Sequence, residues 1–95
     1  MTTQGQADRN AFLAVVNEVM DYYGFKNKLS PGAIFGLKKA GFTTPEYFAG
    51  ALILLIEAHT SLVKPYVYLK RMATSPVPHL KKRAEQRYWE WTKRH

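Results

Sequence analysis

The chain has no cysteine, and this single absence removes several classes of chemistry. Without a thiol it forms no disulfide, holds no zinc ion or iron–sulfur cluster through cysteine, and performs no thiol catalysis. A protein without cysteine is compatible with a reducing compartment. We therefore expect a cytoplasmic location.

Long apolar runs are also missing. The longest apolar stretch, Ala49 to Ile56, is far shorter than the roughly 20 residues that a helix needs to cross a bilayer. The opening residues 1–6 are polar and lack the charged-then-apolar pattern of a secretory signal. We expect a soluble protein with no membrane partner.

Groups suited to catalysis are few and scattered. The three histidines, His59, His79 and His95, have neither the i, i+4 spacing of a helical metal site nor an acid beside them in a known motif. Seven acids spread along the chain give little support for paired acid–base chemistry. The sequence therefore predicts a protein that is not an enzyme, with no catalytic residue, no metal ligand and no cofactor.

What the chain does have is helical periodicity almost throughout. We expect an all-α fold: a single small domain of four to five short helices with a basic amphipathic C-terminal helix. The expected divisions are a flexible N-terminus at 1–7, a helical body at 8–75 and the basic helix at 76–95. A domain of 95 residues has limited stability, so self-association into a homo-oligomer is left open.

Local signals place the helix ends. Asp8 or Asn10 can cap the first helix, and Gly24 can end it in the left-handed conformation. Later helices are expected to begin at Ser30-Pro31, Thr44-Pro45 and Lys64-Pro65, where proline occupies the first helical position. Pro76 and Pro78 are expected to end the fourth helix and to separate the last one from the body.

The third helix is apolar nearly all round, which predicts that it is the central and most buried helix. Gly32 and Gly36 weaken the second helix. They are also the positions where we expect a neighbouring helix to come close.

All of the net charge, +7, lies in the last third of the chain. Up to Val63 the cations and anions balance, whereas Lys64–His95 contains nine cations against only Glu85 and Glu90. Two tryptophans and three tyrosines share this segment. A neutral body with a basic, aromatic tail indicates a polyanionic partner.

At 100° per residue the tail divides into three surfaces. They are an apolar stripe of Leu80, Ala84, Tyr88 and Trp91, a flank of Arg83, Arg87 and Arg94, and a far side of Lys82, Trp89 and Lys93. An exposed tryptophan among cations suits base stacking combined with phosphate contacts. The predicted nucleic-acid-binding residues are Lys70, Arg71, Lys81, Lys82, Arg83, Arg87, Trp89, Lys93 and Arg94.

A different use of the tail is a protein-interaction module, either an inhibitor or an adaptor, that docks through its aromatic residues. The partner-binding residues would then be Tyr68, Tyr88 and Trp91. A major-groove helix–turn–helix is disfavoured, because Glu46 and Glu57 are the only charged residues of the helix that would read bases.

The span from about Ala11 to Ser75 resembles the helical module of DnaD-type primosomal, phage and plasmid replication proteins. Leu29-Ser30-Pro31 is similar to the start of its short helix, residues 48–52 to its central helix, and residues 65–72 to its closing tyrosine helix. Tyr68 and Met72 match the tyrosine and the aliphatic residue of that last helix, and Pro76 stands where the family has a tryptophan.

This resemblance implies a role in DNA replication of a phage or mobile element. It also implies DNA binding through the C-terminal extension and contact with a replication protein such as a helicase or an initiator. The leading interpretation is a small non-enzymatic accessory protein that binds nucleic acid, DNA rather than RNA.

Overall fold

Five helices and no strands make up the part of the chain that the computed structural model describes, which is residues 4–24, 29–58, 65–74 and 79–95, with the backbone alone for 4–7. The helices are α1 (Gln4–Tyr22), α2 (Pro31–Ala40), α3 (Pro45–Ala58), α4 (Pro65–Thr74) and α5 (Leu80–Arg94). The predicted all-α fold is confirmed.

The cap-then-proline signals define the starts of α2 and α3 as predicted. The Ser30 hydroxyl accepts a hydrogen bond from the Ala33 N–H at 3.2 Å, and Pro31 is the first helical residue. The Thr44 hydroxyl accepts one from the Tyr47 N–H, also at 3.2 Å. Each cap satisfies a backbone donor that has no partner within the helix.

The predicted end of α1 is confirmed, and its predicted start is wrong. Gly24 follows the helix with a φ of 65°, and its N–H donates to the Asp21 carbonyl, so the predicted glycine stop is confirmed. The predicted start is wrong, because α1 already begins at Gln4 and neither Asp8 nor Asn10 caps it. Helix-favouring residues such as Gln6 and Ala7 extend the helix into the segment predicted to be flexible.

Helix α3 is the centre of the fold, as its composition predicts. It packs on α1, α4 and α5, and most extensively on α5. Phe48 sets its ring edge-on to Phe12 of α1, with centroids 5.7 Å apart. Leu52 and Ile53 are fully buried.

The close approach between helices occurs at Gly50 and not at Gly32 or Gly36. A β-carbon on Gly50 would lie 2.9 Å from the Ala84 Cα of α5 and closer still to its carbonyl group. Nothing lies within 4 Å of the corresponding point on Gly36, and Gly32 faces only its own cap at Ser30. The prediction for α2 fails because both of its glycines are on the exposed side of that helix.

Helix α5 is part of the core. Its backbone touches that of α3, so the expectation of a helix standing apart from the body is corrected. The physical reason is the apolar stripe of α5, which has a central helix to pack against. The prolines at 76 and 78, on which the expectation rested, lie outside the described residues.

Gly50→Ala should destabilise the fold, because the new methyl group meets backbone and cannot be accommodated by a rotamer change. Overpacking of this kind costs about 1–3 kcal/mol. Gly36→Ala is the matched control: the same change in a helix with open space should be neutral or stabilise by up to about 1 kcal/mol. Urea denaturation followed by circular dichroism measures both, and equal stability of the two variants would refute the close contact.

Candidate nucleic-acid interface

One face of α5 is buried against the body. Leu80, Ala84, Tyr88 and Trp91 make up this face, with Ala84 fully buried and Trp91 2% exposed. These are the four residues that helical spacing placed in the apolar stripe, and that prediction is confirmed. The opposite side of α5 is thereby held outward.

An aromatic cluster fixes the C-terminal end of α5 to the end of α1. Tyr22 meets the Trp91 ring edge-on at 5.4 Å between centroids, and it lies 4.2 Å from the His95 ring. The rings of Trp91 and Tyr88 stack at 6.3 Å. Aromatic pairs of this kind add about 0.5–1.5 kcal/mol each beyond the area they bury.

Because they are used in this core, Tyr88 and Trp91 are not available to dock a partner, and their assignment as partner-binding residues is corrected. Burial raises the pKa of the Tyr88 hydroxyl, and the charges of Glu18 and Glu46 add to the effect. Of the three predicted partner-binding residues, Tyr68 alone is exposed, and it lies on α4.

Arg87 is engaged within the protein. Its Nη2 and Nε lie 2.6 and 2.7 Å from the same Oε1 of Glu57 in α3, and its Nη1 lies 3.7 Å from Glu90. Burial raises the pKa of the Tyr23 hydroxyl and the Glu57 charge adds to the rise, while a hydrogen bond with the Trp91 side chain and the Arg87 charge act in the opposite direction. Arg87 therefore ties α5 to α3, and its predicted role as a phosphate ligand is corrected.

The outer face of α5, defined here as Lys82, Gln86, Trp89 and Lys93, is exposed along its whole length. The Trp89 side chain is 53% exposed, an unusual position for a large apolar ring. It leans on Tyr88 with centroids 5.2 Å apart, and its carbonyl accepts a hydrogen bond from the Thr92 hydroxyl. The ring is thus in contact with Tyr88 and about half exposed.

The acids of α5 lie beside the outer face and not on it. Glu85 is on the flank of Lys81, and Glu90 is on the flank of the arginines, where it contacts Arg87 and Gln86. Arg83 and Arg94 are exposed on that same flank. The outer face therefore contains two cations, an amide and a tryptophan, with no negative charge.

Lys70 and Arg71 do not join this surface. Both are exposed on α4, which packs against α2 and α3. The Lys70 Nζ lies 6.0 Å from the centre of the Tyr66 ring on the same helix. The predicted binding residues are thus divided between two helices, and only those of α5 surround an exposed tryptophan.

A second basic site escaped the sequence reasoning because the body has no net charge. A cleft of about 530 Å³ is lined by Arg9 of α1, by Phe35, Lys38 and Lys39 of α2, and by Thr43. The Lys38-Lys39 pair was the only local signal. Its convergence with Arg9 depends on the packing of two helices.

No group of three or more histidine, aspartate or glutamate side chains is placed to hold a metal ion within the described ranges. None of the helices described there is long and apolar enough to span a membrane. Comparison with protein-family models, with curated proteins and with solved structures gave no match. The resemblance to the DnaD-type module therefore stays a prediction.

A double-mutant cycle on Arg87 and Glu57 tests the structural role of this ion pair. Arg87→Gln and Glu57→Gln should each lower the free energy of unfolding by up to about 1 kcal/mol, because the pair is partly exposed and screened. The double variant should lose little more than either single variant. Strictly additive losses in urea denaturation would show that the two side chains act independently.

Proposed function

We propose that this chain is a small non-enzymatic accessory protein that binds nucleic acid through the outer face of α5. The observation that carries the proposal is Trp89, which is 53% exposed on the helix face that contains Lys82 and Lys93, with the acids Glu85 and Glu90 at the two flanks of that face. Base–aromatic stacking and phosphate neutralisation are the two interactions that such a surface can offer together.

The spacing along α5 suits a polyanion. Lys82 and Lys93 are separated by about 16 Å along the helix axis, at 1.5 Å per residue. Arg83 and Arg94 add charge along the flank. Lys81 adds a further cation on the opposite flank.

The exposed indole favours unpaired bases as the target. A half-exposed indole can stack on a base only where that base is not already stacked in a duplex. The outer face has only Gln86 as an uncharged polar side chain, so contacts with phosphate predominate. We infer single-stranded binding with little sequence preference.

The biological setting rests on the DnaD-type resemblance alone. That resemblance supports DNA over RNA, a role in replication of a phage or mobile element, and a helicase or initiator as protein partner. The resemblance implies DNA binding through the segment that follows the module, and in this chain that segment contains α5.

Removing the two outer-face lysines should reduce the salt dependence of binding. For Lys82→Gln with Lys93→Gln, the slope of log affinity against log salt should fall by about 1.4 for a single strand, at 0.7 per lost phosphate contact. Fluorescence anisotropy of a labelled oligonucleotide over a salt series measures this slope.

The matched control removes the same charge from α4, with Lys70→Gln and Arg71→Gln. It should change the slope less, because these residues lie on α4, which packs on α2 and α3, and do not belong to the outer face of α5. Equal losses from the two double variants would refute the assignment to α5. An unmodified protein that fails to bind at low salt would refute nucleic-acid binding itself.

Replacing the exposed ring should weaken binding without unfolding the protein. Trp89→Leu should cost about 1–3 kcal/mol of single-strand affinity, the value of one base–aromatic stack, and Trp89→Phe should retain part of it. Tyr66→Leu, an exposed aromatic on α4, should bind as the unmodified protein does. If Trp89→Leu binds with full affinity, the indole does not stack on a base.

A further inference from the structure

Two large aromatic rings are exposed near the C-terminal end of α5. Among the large apolar side chains of the described residues, Tyr22 and Trp89 are the most exposed, at 54% and 53%. Trp89 belongs to the outer face, whereas Tyr22 is the last residue of α1. A large ring at the surface leaves apolar area in water that a flat ligand can cover.

A row of ring contacts joins these two residues. The centroid of the Tyr22 ring lies 5.4 Å from that of Trp91, and the centroid of Trp91 lies 6.3 Å from that of Tyr88. The last step, from Tyr88 to Trp89, is 5.2 Å. Tyr22 and Trp89 are therefore no more than about 17 Å apart, with two buried rings between them.

Tyr22 lies on the side of α5 that contains Tyr88, the residue on which Trp89 leans. Glu18 and Tyr22 are four residues apart and share one face of α1. Burial raises the pKa of the Tyr88 hydroxyl and the Glu18 charge adds to the rise, so this face of α1 is directed toward Tyr88. The two exposed rings thus border the same side of α5.

The Tyr22 ring is held in place by its neighbours. Its centroid lies 5.0 Å from that of Tyr23 and 4.2 Å from that of His95, in addition to the contact with Trp91. These contacts limit the rotation of the ring about its side-chain bonds. A ring that is fixed before binding loses less conformational entropy when a ligand stacks on it.

The charges around Tyr22 favour a base over a phosphate as its ligand. Glu18 and Asp21 are exposed in the last turns of α1, and a carboxylate repels phosphate. The cations of this region, Lys93 and Arg94, are in the last turn of α5. A bound strand can therefore place its phosphates along α5 and one of its bases on Tyr22.

We propose that Tyr22 is a second base-stacking position, which takes a base of the same single strand that stacks on Trp89. The inference rests on the proposed function and extends the interface from α5 to the end of α1. Because every base has a flat π surface, a second stacked base adds affinity without adding sequence preference.

Ring substitutions at Tyr22 test the proposal through fluorescence anisotropy of a labelled oligothymidylate of about 12 nucleotides. Tyr22→Leu should weaken binding about fivefold or more, the loss expected for one base–aromatic stack. Tyr22→Phe keeps the ring and its contacts, and it should bind nearly as well as the unmodified protein. The matched control is Tyr66→Leu, which changes an exposed tyrosine of α4 and should leave the affinity unchanged.

Photocrosslinking of the unmodified protein separates a direct contact with the base from a loss of support for α5. This second measurement is needed because Tyr22→Leu also removes the ring contact with Trp91. An oligonucleotide with 5-iodouracil in place of thymine crosslinks, on irradiation, to aromatic side chains that stack on the modified base. Mass spectrometry should find the base attached to Tyr22 and to Trp89, and not to Tyr66.

Three results would each overturn the second stacking position: full affinity of Tyr22→Leu, equal losses from Tyr22→Leu and Tyr22→Phe, or crosslinks at Trp89 without any at Tyr22. If Trp89→Leu weakens binding and Tyr22→Leu does not, the interface on α5 stands and only its extension to α1 is wrong. If the unmodified protein does not bind the oligonucleotide at low salt, both the proposed function and this inference are wrong.

Discussion

The backbone of α5 crosses α3 at Gly50, where the absence of a side chain lets Ala84 rest directly on the central helix. Glycine inside a helix costs about 1 kcal/mol relative to alanine, and here the close packing of two buried helices offsets that cost. The orientation of α5 depends on this contact. Once Ala84 faces α3, helical geometry turns Lys82, Trp89 and Lys93 outward.

Within α5, the residues that anchor the helix to the body are different from the residues proposed to bind nucleic acid. Trp91 and Arg87 anchor α5 through the ring of Tyr22 and the carboxylate of Glu57. Trp89, two residues before Trp91, takes no part in that anchoring and stays exposed. A basic face on a rigid element meets a polyanion with less loss of conformational entropy than a disordered basic tail would.

The sequence predicted correctly those features that depend on interactions between residues close together in the chain. The caps at Ser30 and Thr44, the stop at Gly24 and the buried face of α5 depend on neighbours within a few residues. Contacts between distant segments were beyond such reasoning. Gly50 looks like any small residue in an apolar stretch, and neither the Arg87–Glu57 pair nor the meeting of Arg9 with the α2 lysines leaves a pattern at short spacing.

Native-state amide hydrogen exchange is the most direct test of whether α5 belongs to the core. If Gly50 and Ala84 join the two helices as described, the amides of Tyr88 and Trp91 should exchange with the same free energy of opening as those of Leu52 and Ile53, because α3 and α5 then unfold together. Exchange of the α5 amides at a much lower free energy, with α3 still protected, would contradict the account.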